Sequence, residues 1–477
     1  MSNFTDLSIK LTKELNNSTI KEEGIYFTPQ SIIHKNLEII KEINNLNIKS
    51  ILEPSCGSCE YISLLNTHFK ESSIVGIENN ETIYETIKNL YNTNKKIKLI
   101  KQSYLDVDDP DKYDLIIGNP PYFVVVDKKE KTDTNETTGT TGTTKYKGNE
   151  YYKSIIDNIK TKNKIYKSYY DGRANMFVLF ILHSLNKLNN NGILSFILPI
   201  NFINCLYYNK LRKYIYNNYK IISIINCNND NEKYLDTQQD TIIFIIQNCN
   251  NLSTLHKDIN TQTNNNTTLQ NNINYVIIKN NYTIFNTNEN IIKLNKLYEG
   301  NTKTLNDLKF KVSIGSVVWN QCKNNDPNDP NDTKKLNILF NADDYTENDG
   351  KIKTRLIYNS DIVNKELIFK KYNNKDKKNY INKEGTNEPL LVLNRGYGKG
   401  KYKLDYCLIN QEEKYLIENH LMCIKHTTEK DKKKLIELYN EVMISFNNPK
   451  TIEFIELYFG NNAINTTELQ HIVPIFS

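Results

Sequence analysis

A chain of 477 residues, 38% hydrophobic and 24% charged, has the length for two or three domains and apolar side chains enough for a sizeable core, which excludes a staple-dependent mini-protein. No apolar run approaches the roughly 18 residues of a membrane span, the first twenty residues lack a signal-peptide pattern, and eight cysteines without regular spacing suit a reducing interior. A soluble, intracellular protein without a membrane partner is expected, and 61 Lys and Arg against 55 Asp and Glu give a net +6 that permits nucleic-acid binding without requiring it.

From residue 50 onward, short apolar runs alternate with helical periods. Ser50–Leu52, Ile74–Ile77, Ile97–Ile100 and Leu115–Ile117 read as strands, with helices over Tyr61–Asn66 and Glu81–Tyr91. Such alternation predicts βαβ units and a parallel, doubly wound sheet. After an interruption the rhythm resumes with a helix over Ala174–Leu188, a strand at Ile193–Leu198, a helix over Leu206–Ile215, and strands at Ile221–Ile225 and Thr241–Ile246. Seven strands of an α/β fold are thus expected by residue 247.

The interruption, residues 128–149, carries TTGTTGTTK and few apolar residues, so a mobile insertion is expected there. A second low-complexity stretch, residues 248–272, is rich in Asn and Thr and is read as a linker between domains 1–247 and 273–477. Beyond it the strand signals lose their rhythm: VSIGSVVW at Val312–Trp319, LLVLNRGYGKGKYK at Leu390–Lys403 and HLMCIKH at His420–His426, followed by helices over Lys432–Ser445 and Thr451–Tyr458. An α+β domain is expected.

The chemistry concentrates at strand ends, where open α/β sheets bind ligands. Leu52–Tyr61, LEPSCGSCEY, joins the first strand to the first helix, and an acid, a proline and a glycine there can face a zwitterionic ligand. Glu78, with Asn79 beside it, ends the second strand and is placed to accept from ribose hydroxyls, while Asp106 after the third can accept from an adenine amine. Asn119-Pro120-Pro121-Tyr122 follows the fourth strand. Its amide, its carbonyl, its rigid turn and its ring form a holder for a flat base with an exocyclic amine.

The order of FTP at Phe27–Pro29, EPSCGSCEY, Glu78, Asp106, NPPY and GILSFILP at Gly192–Pro199 resembles the γ-class N6-adenine DNA methyltransferases, such as the Thermus-type TCGA methyltransferases, over roughly residues 20–247. The resemblance implies a Rossmann-like seven-stranded methyltransferase domain using S-adenosyl-L-methionine, followed by a target-recognition domain, and double-stranded DNA as partner. It implies that the cofactor motif opens with Glu53 and runs through Pro54, Cys56 and Gly57; this chain has Cys59 where the family usually has a second glycine. It further implies that Phe27, Thr28 and Pro29 close over the methionine end of the cofactor and that Phe180 packs on its adenine. Asn119 and the Pro120 carbonyl would accept the hydrogens of the N6 amine, with the flipped base stacked between Tyr122 and Tyr234.

In the second half, Arg395, Tyr397, Lys399, Lys401 and Lys403 form the candidate DNA reader, where glycines allow close approach and cations meet phosphate or guanine. Too few residues precede Phe27 for a nuclease domain and no PD...ExK arrangement stands out elsewhere, so a stand-alone modification enzyme is expected, with any restriction endonuclease encoded separately; a monomer is expected. Cys56-x-x-Cys59 lacks a second pair at zinc spacing. His420, Cys423 and His426 fall on opposite faces of a strand, and DPNDPND at Asp326–Asp332 lacks the glycine and glutamate of a calcium loop, so no metal is expected. Competing readings are an RNA or protein-glutamine methyltransferase, which also hold planar groups with NPPY, and a DNA-binding module whose methyltransferase fold has decayed.

Overall fold

The structure, a computed structural model, describes residues 3–43, 46–107, 110–124, 169, 175–227, 234, 240–249, 275–287, 289–299, 302–324, 338–341, 352–372, 377–395, 404–459 and 464–476. The chain divides into two compact units: 1–278 with 282–291, and 279–281 with 292–477. The expected insertion at 128–149 and the calcium-loop lookalike at 326–332 lie outside the described residues, as does nearly all of the 248–272 stretch.

In the first unit all seven expected strands form: β1 (Ser50–Glu53), β2 (Ser73–Glu78), β3 (Ile97–Lys101), β4 (Tyr113–Gly118), β5 (Leu188–Pro199), β6 (Lys220–Cys227) and β7 (Thr241–Gln247). They make one sheet in the order β3-β2-β1-β4-β5-β7-β6. The pairings from β3 through β5 are parallel, and β7 runs antiparallel between β5 and β6. The strands read as near-continuous apolar runs because both faces are covered. Ile51, Leu115, Ile193, Ile243 and Ile245 pack under α3 (Gln30–Glu42) and α4 (Glu60–His68), while Leu52, Ile116, Leu194 and Phe244 face α6 (Met176–Asn186). The remaining helices of this unit are α1 (Asp6–Glu14), α2 (Asn17–Glu23), α5 (Glu81–Ile87) and α7 (Asn209–Asn218).

α6 is buried on almost every side, so its sequence, MFVLFILHSLN, is apolar all round rather than striped. α3 is striped, and its one buried polar residue is satisfied: Asn36 Nδ2 donates to the Tyr61 hydroxyl, and its Oδ1 accepts from Ser195. Leaving that amide unpaired in the core would cost about 1–3 kcal/mol.

The first unit continues past the low-complexity stretch. Val276–Lys279 pairs with Tyr282–Phe285 after it, both strands but for Lys279 belonging to this unit, and the Phe285 ring stacks on Phe244 with centroids 5.9 Å apart. Arg212 of α7, fully buried, locks the arrangement by donating to the carbonyls of Thr283, Phe202, Cys205 and Asn204. A sequence boundary drawn on composition at 247 misses this because the contact joins residues over seventy positions apart, Arg212 and Thr283.

The second unit combines a four-stranded antiparallel sheet (Phe310–Ile314, Leu421–His426, Leu390–Asn394, Tyr406–Ile409) with a mixed five-stranded sheet centred on Tyr380–Ile381 and Thr354–Ile357. Helices Lys432–Asn447, Pro449–Phe459 and Thr466–His471 follow, the first capped by Asp431 and the last by an Asn465–Glu468 capping box. VSIGSVVW is a strand only to Ile314. The histidines of HLMCIKH have structural partners: His420 pairs with Glu418, and the His426 ring nitrogen accepts from the Glu429 amide.

Candidate active site

The strand order reverses on either side of β1, so the loops after β1 and β4 diverge and leave a crevice at their carboxyl ends. A cleft of about 740 Å³, partly open to solvent, lies there. Each of the first four strands delivers a wall: Pro54, Ser55 and Gly57 after β1; Glu78, Asn79 and Asn80 after β2; Ser103, Tyr104 and Leu105 after β3; Asn119 and Pro121 after β4. Phe180 of α6 closes one side, its ring 5.1 Å from that of Tyr104.

The β1 loop is tied to β2. Glu78 accepts the Gly57 amide on one oxygen at 2.9 Å and the Asn80 amide on the other at 2.6 Å. A carboxylate has about four acceptor sites, so these bonds orient Glu78 and leave further acceptor capacity beside the cleft. Gly57 sits at φ +50, and a Cβ there would press to 3.3 Å from the Phe27 ring. Two residues on, Cys59 takes the same left-handed region, φ 66, as the N-cap of α4. The position therefore does call for the backbone shape that a glycine adopts freely, and a cysteine holds it under strain.

Cys56 and Cys59 are both buried in the core rather than presented to the cleft. The Cys59 side chain bonded to it, together with burial, pushes the Cys56 thiol well above the ordinary thiol range, opposite to the lowering that activates a nucleophilic cysteine. Glu53, at the end of β1, is buried, and one of its oxygens, Oε2, has no hydrogen-bond partner among the described residues. Burial above all, and then the neighbouring Cys59, Glu78 and Glu60, raise its carboxyl well above 4.5. Burial likewise raises Glu78 against the pull of its amide partners.

Asn119 is held by three contacts. Its Nδ2 donates to the Tyr26 carbonyl at 3.1 Å, its Oδ1 accepts from the Tyr122 hydroxyl at 2.6 Å, and its own carbonyl accepts from Ser55 at 3.0 Å. A carbonyl can only accept, so Tyr26 decides which way the amide faces. Gly24 makes the approach of that segment feasible: at φ 64 it ends α2, and a Cβ would stand 2.9 Å from the Tyr122 amide. Glu23, in turn, accepts from Asn80.

Four expectations change. Tyr122 is not a free platform: its hydroxyl bonds Asn119 and the Ile197 carbonyl, and its ring meets Phe177 edge-on. Tyr234 is 7% exposed and packs in the core cluster with residues of α3 and α4, away from the cleft lining. Asp106 is exposed, because the single 3-10 turn after β3 buries Tyr104 and Leu105 and leaves Asp106 outward, so Ser103 and Leu105 form that wall. Of the FTP segment, Phe27 lines the cleft, while Thr28 is buried behind it and Pro29 caps α3. Pro120 is buried in the turn. Glu23, Gly24, Tyr26 and Ser103 escaped sequence reasoning; only Gly24, a glycine just ahead of FTP, carried a local signal.

In the second unit, Arg395 Nη1 lies 3.4 Å from the Asn419 carbonyl. Tyr397, Lys399, Lys401 and Lys403 lie outside the described residues.

The sheet order, with its antiparallel seventh strand, and a cleft built from the first four strand ends define a class I S-adenosylmethionine-dependent methyltransferase fold. Within that class, residues 5–233 match the model of the family described as Eco57I restriction-modification methylase. The type II methyltransferase M.AccI of Acinetobacter calcoaceticus is 29% identical over 195 residues, 41% of this chain and 31% of its own length. The type II methyltransferase M.CvrRI of Paramecium bursaria Chlorella virus XZ-6E is 25% identical over 249 residues, 52% of this chain and 54% of its own. The modification methylase CviBIII of Paramecium bursaria Chlorella virus NC1A is 27% identical, covering 44% and 47%. The chain thus spans about half or less of the length of these relatives. Among solved structures, the type IIG restriction endonuclease BpuSI overlaps 98% of this chain and 60% of its own, at 11% identity and a TM-score of 0.42.

Proposed function

We propose that this chain is a site-specific DNA methyltransferase that transfers a methyl group from S-adenosyl-L-methionine to N6 of an adenine flipped out of double-stranded DNA. The observation that carries the reading is Asn119: an amide at the end of β4, oriented by Tyr26 so that its oxygen faces a polar hydroxyl beside the cleft. A cofactor in that cleft would supply an electrophilic methyl group on a sulfonium. The fit is supported by the buried Glu53 Oε2, which has no hydrogen-bond partner among the described residues, by Gly57, where a side chain would crowd Phe27, and by Phe180 beside Tyr104. Glu78 and Asn79 would hold its ribose end.

The amine of adenine is a weak nucleophile because its lone pair is delocalised into the ring. Asn119 Oδ1 and the Pro120 carbonyl would accept its two hydrogens and favour a pyramidal nitrogen aimed for in-line displacement. Rate then comes from positioning and electrostatics rather than from a general base. For this the Tyr122 hydroxyl has to share or release Asn119 Oδ1, and its ring is then available to stack on the base, recovering part of the cost of flipping. The C-terminal unit would choose the site. The protein would act as a monomer, with any cognate restriction endonuclease a separate chain.

Incubation with tritiated cofactor and adenine-containing duplex, followed by digestion to nucleosides, tests the reading: label is expected in N6-methyladenine. Label in cytosine, or in protein rather than DNA, overturns it.

A further inference from the structure

The second unit carries a basic face that the catalytic reading leaves unused. Between Lys353 and Lys383 the described residues hold eight Lys and Arg against Asp361 and Glu366, a net +6 equal to that of the whole 477-residue chain. The next acid, Glu384, is paired with Lys414.

These cations are placed by a framework. Asp361 accepts the amides of Tyr358 and Lys370 and the hydroxyl of Tyr372. Asn379 donates to the Lys370 carbonyl at 2.7 Å, and the Tyr358 hydroxyl donates to the Lys378 carbonyl at 2.8 Å. Lys370–Lys371 and Lys377–Lys378 are thereby fastened side by side.

Aromatic faces are interleaved with them. The Lys377 ammonium sits 5.3 Å from the Trp319 ring, 5.0 Å from Tyr358 and 5.6 Å from Tyr372. Ile368 and Phe369 are exposed beside Lys370, at 45% and 46%. Arg355, 8% exposed, has its guanidinium 4.4 Å from the Phe369 ring and 5.4 Å from Tyr380, and its buried Nε has no acceptor among the described residues. Its Nη2 donates to the Lys370 carbonyl at 3.4 Å, which ties the guanidinium to the same lysine-bearing turn.

We propose that this face, with Lys370, Lys371, Lys377 and Lys378 at its centre, grips the phosphate backbone of duplex DNA. The inference rests on the DNA-modifying reading above and names where the second unit meets its substrate. Repeating phosphates match lysines that form no ion pair among the described residues, and exposed Phe369 and Ile368 suit the sugar edge between them. Such contacts position the protein without reading sequence.

The test uses the full chain and a short fluorescent duplex, with anisotropy followed from low to physiological salt. The variants are Lys370→Gln/Lys371→Gln and Lys377→Gln/Lys378→Gln, with Lys432→Gln/Lys433→Gln as control, all checked for unchanged melting temperature and cofactor binding. Each lost phosphate contact lowers the slope of log affinity against log salt by about 0.9, so each double variant should lose about 2 from the slope and roughly tenfold in affinity. Fluorescence of Trp319, the sole tryptophan, should respond to duplex in the wild type. Slopes equal to the control's overturn this surface while leaving the function intact, as does equal competition by an acidic polypeptide. A wild type that binds cofactor and no duplex overturns both.

Discussion

Asn119, Tyr122 and Cys59 are the residues on which the local chemistry turns. Asn119→Ala should lower methyl transfer by at least ~10²-fold, the scale of losing one aimed polar group at a reacting centre, with cofactor binding by calorimetry unchanged. For Tyr122 the two roles separate: Tyr122→Phe frees Asn119 Oδ1 and keeps the ring, so kcat should stay within a few fold. Tyr122→Ala also removes stacking worth ~1–3 kcal/mol per base and should cost about 10- to 100-fold. Equal losses in both variants would assign the function to the hydroxyl. Cys59, at φ 66, carries about 1–2 kcal/mol of backbone strain. Glycine there relieves it but forfeits a buried side chain, so the denaturant midpoint should barely move, whereas Cys59→Val, β-branched at positive φ, should fall well below wild type.

At the level of elements, the seven strands were legible because their apolar runs are bounded by Gly, Pro, Asn and acids, and a strand buried on both faces needs nothing further to declare itself. α6 was legible by its continuous apolar composition, and Phe177 and Phe180, three apart, do diverge: Phe177 is core, and Phe180 lines the cleft. The hairpin after residue 275 was not legible, since what attaches it is Arg212. Replacing that fully buried guanidinium with Met leaves the carbonyls of Thr283, Phe202 and Cys205 without their donor. Thermal or chemical denaturation of Arg212→Met should show a loss of about 3 kcal/mol; a loss below one would mean the hairpin is held by its phenylalanines alone.

For the molecule as a whole, two buried carboxyls link stability to pH. Glu53 and Glu78 are both raised above 4.5 by burial. The folded state therefore binds more protons than the unfolded one between 4.5 and the raised values, and stability falls as pH climbs through that window. A ligand with net positive charge favours the ionised carboxyls, so the gain in melting temperature on adding cofactor should be larger at higher pH. A gain that does not vary with pH would place both carboxyls outside the binding equilibrium. Composition and strand rhythm determined the fold class, because a strand or helix declares itself in a local pattern, and the order of FTP, EPSCG, Glu78 and NPPY marked which strand ends to examine. Only tertiary structure decided that Tyr26 and Tyr122 hold the Asn119 amide, that Asp106 and Tyr234 do not line the cleft, and that Lys377 sits over the rings of Trp319, Tyr358 and Tyr372. Hydrogen bonds and charge clusters join residues far apart in the chain, and no local pattern records which of them will meet.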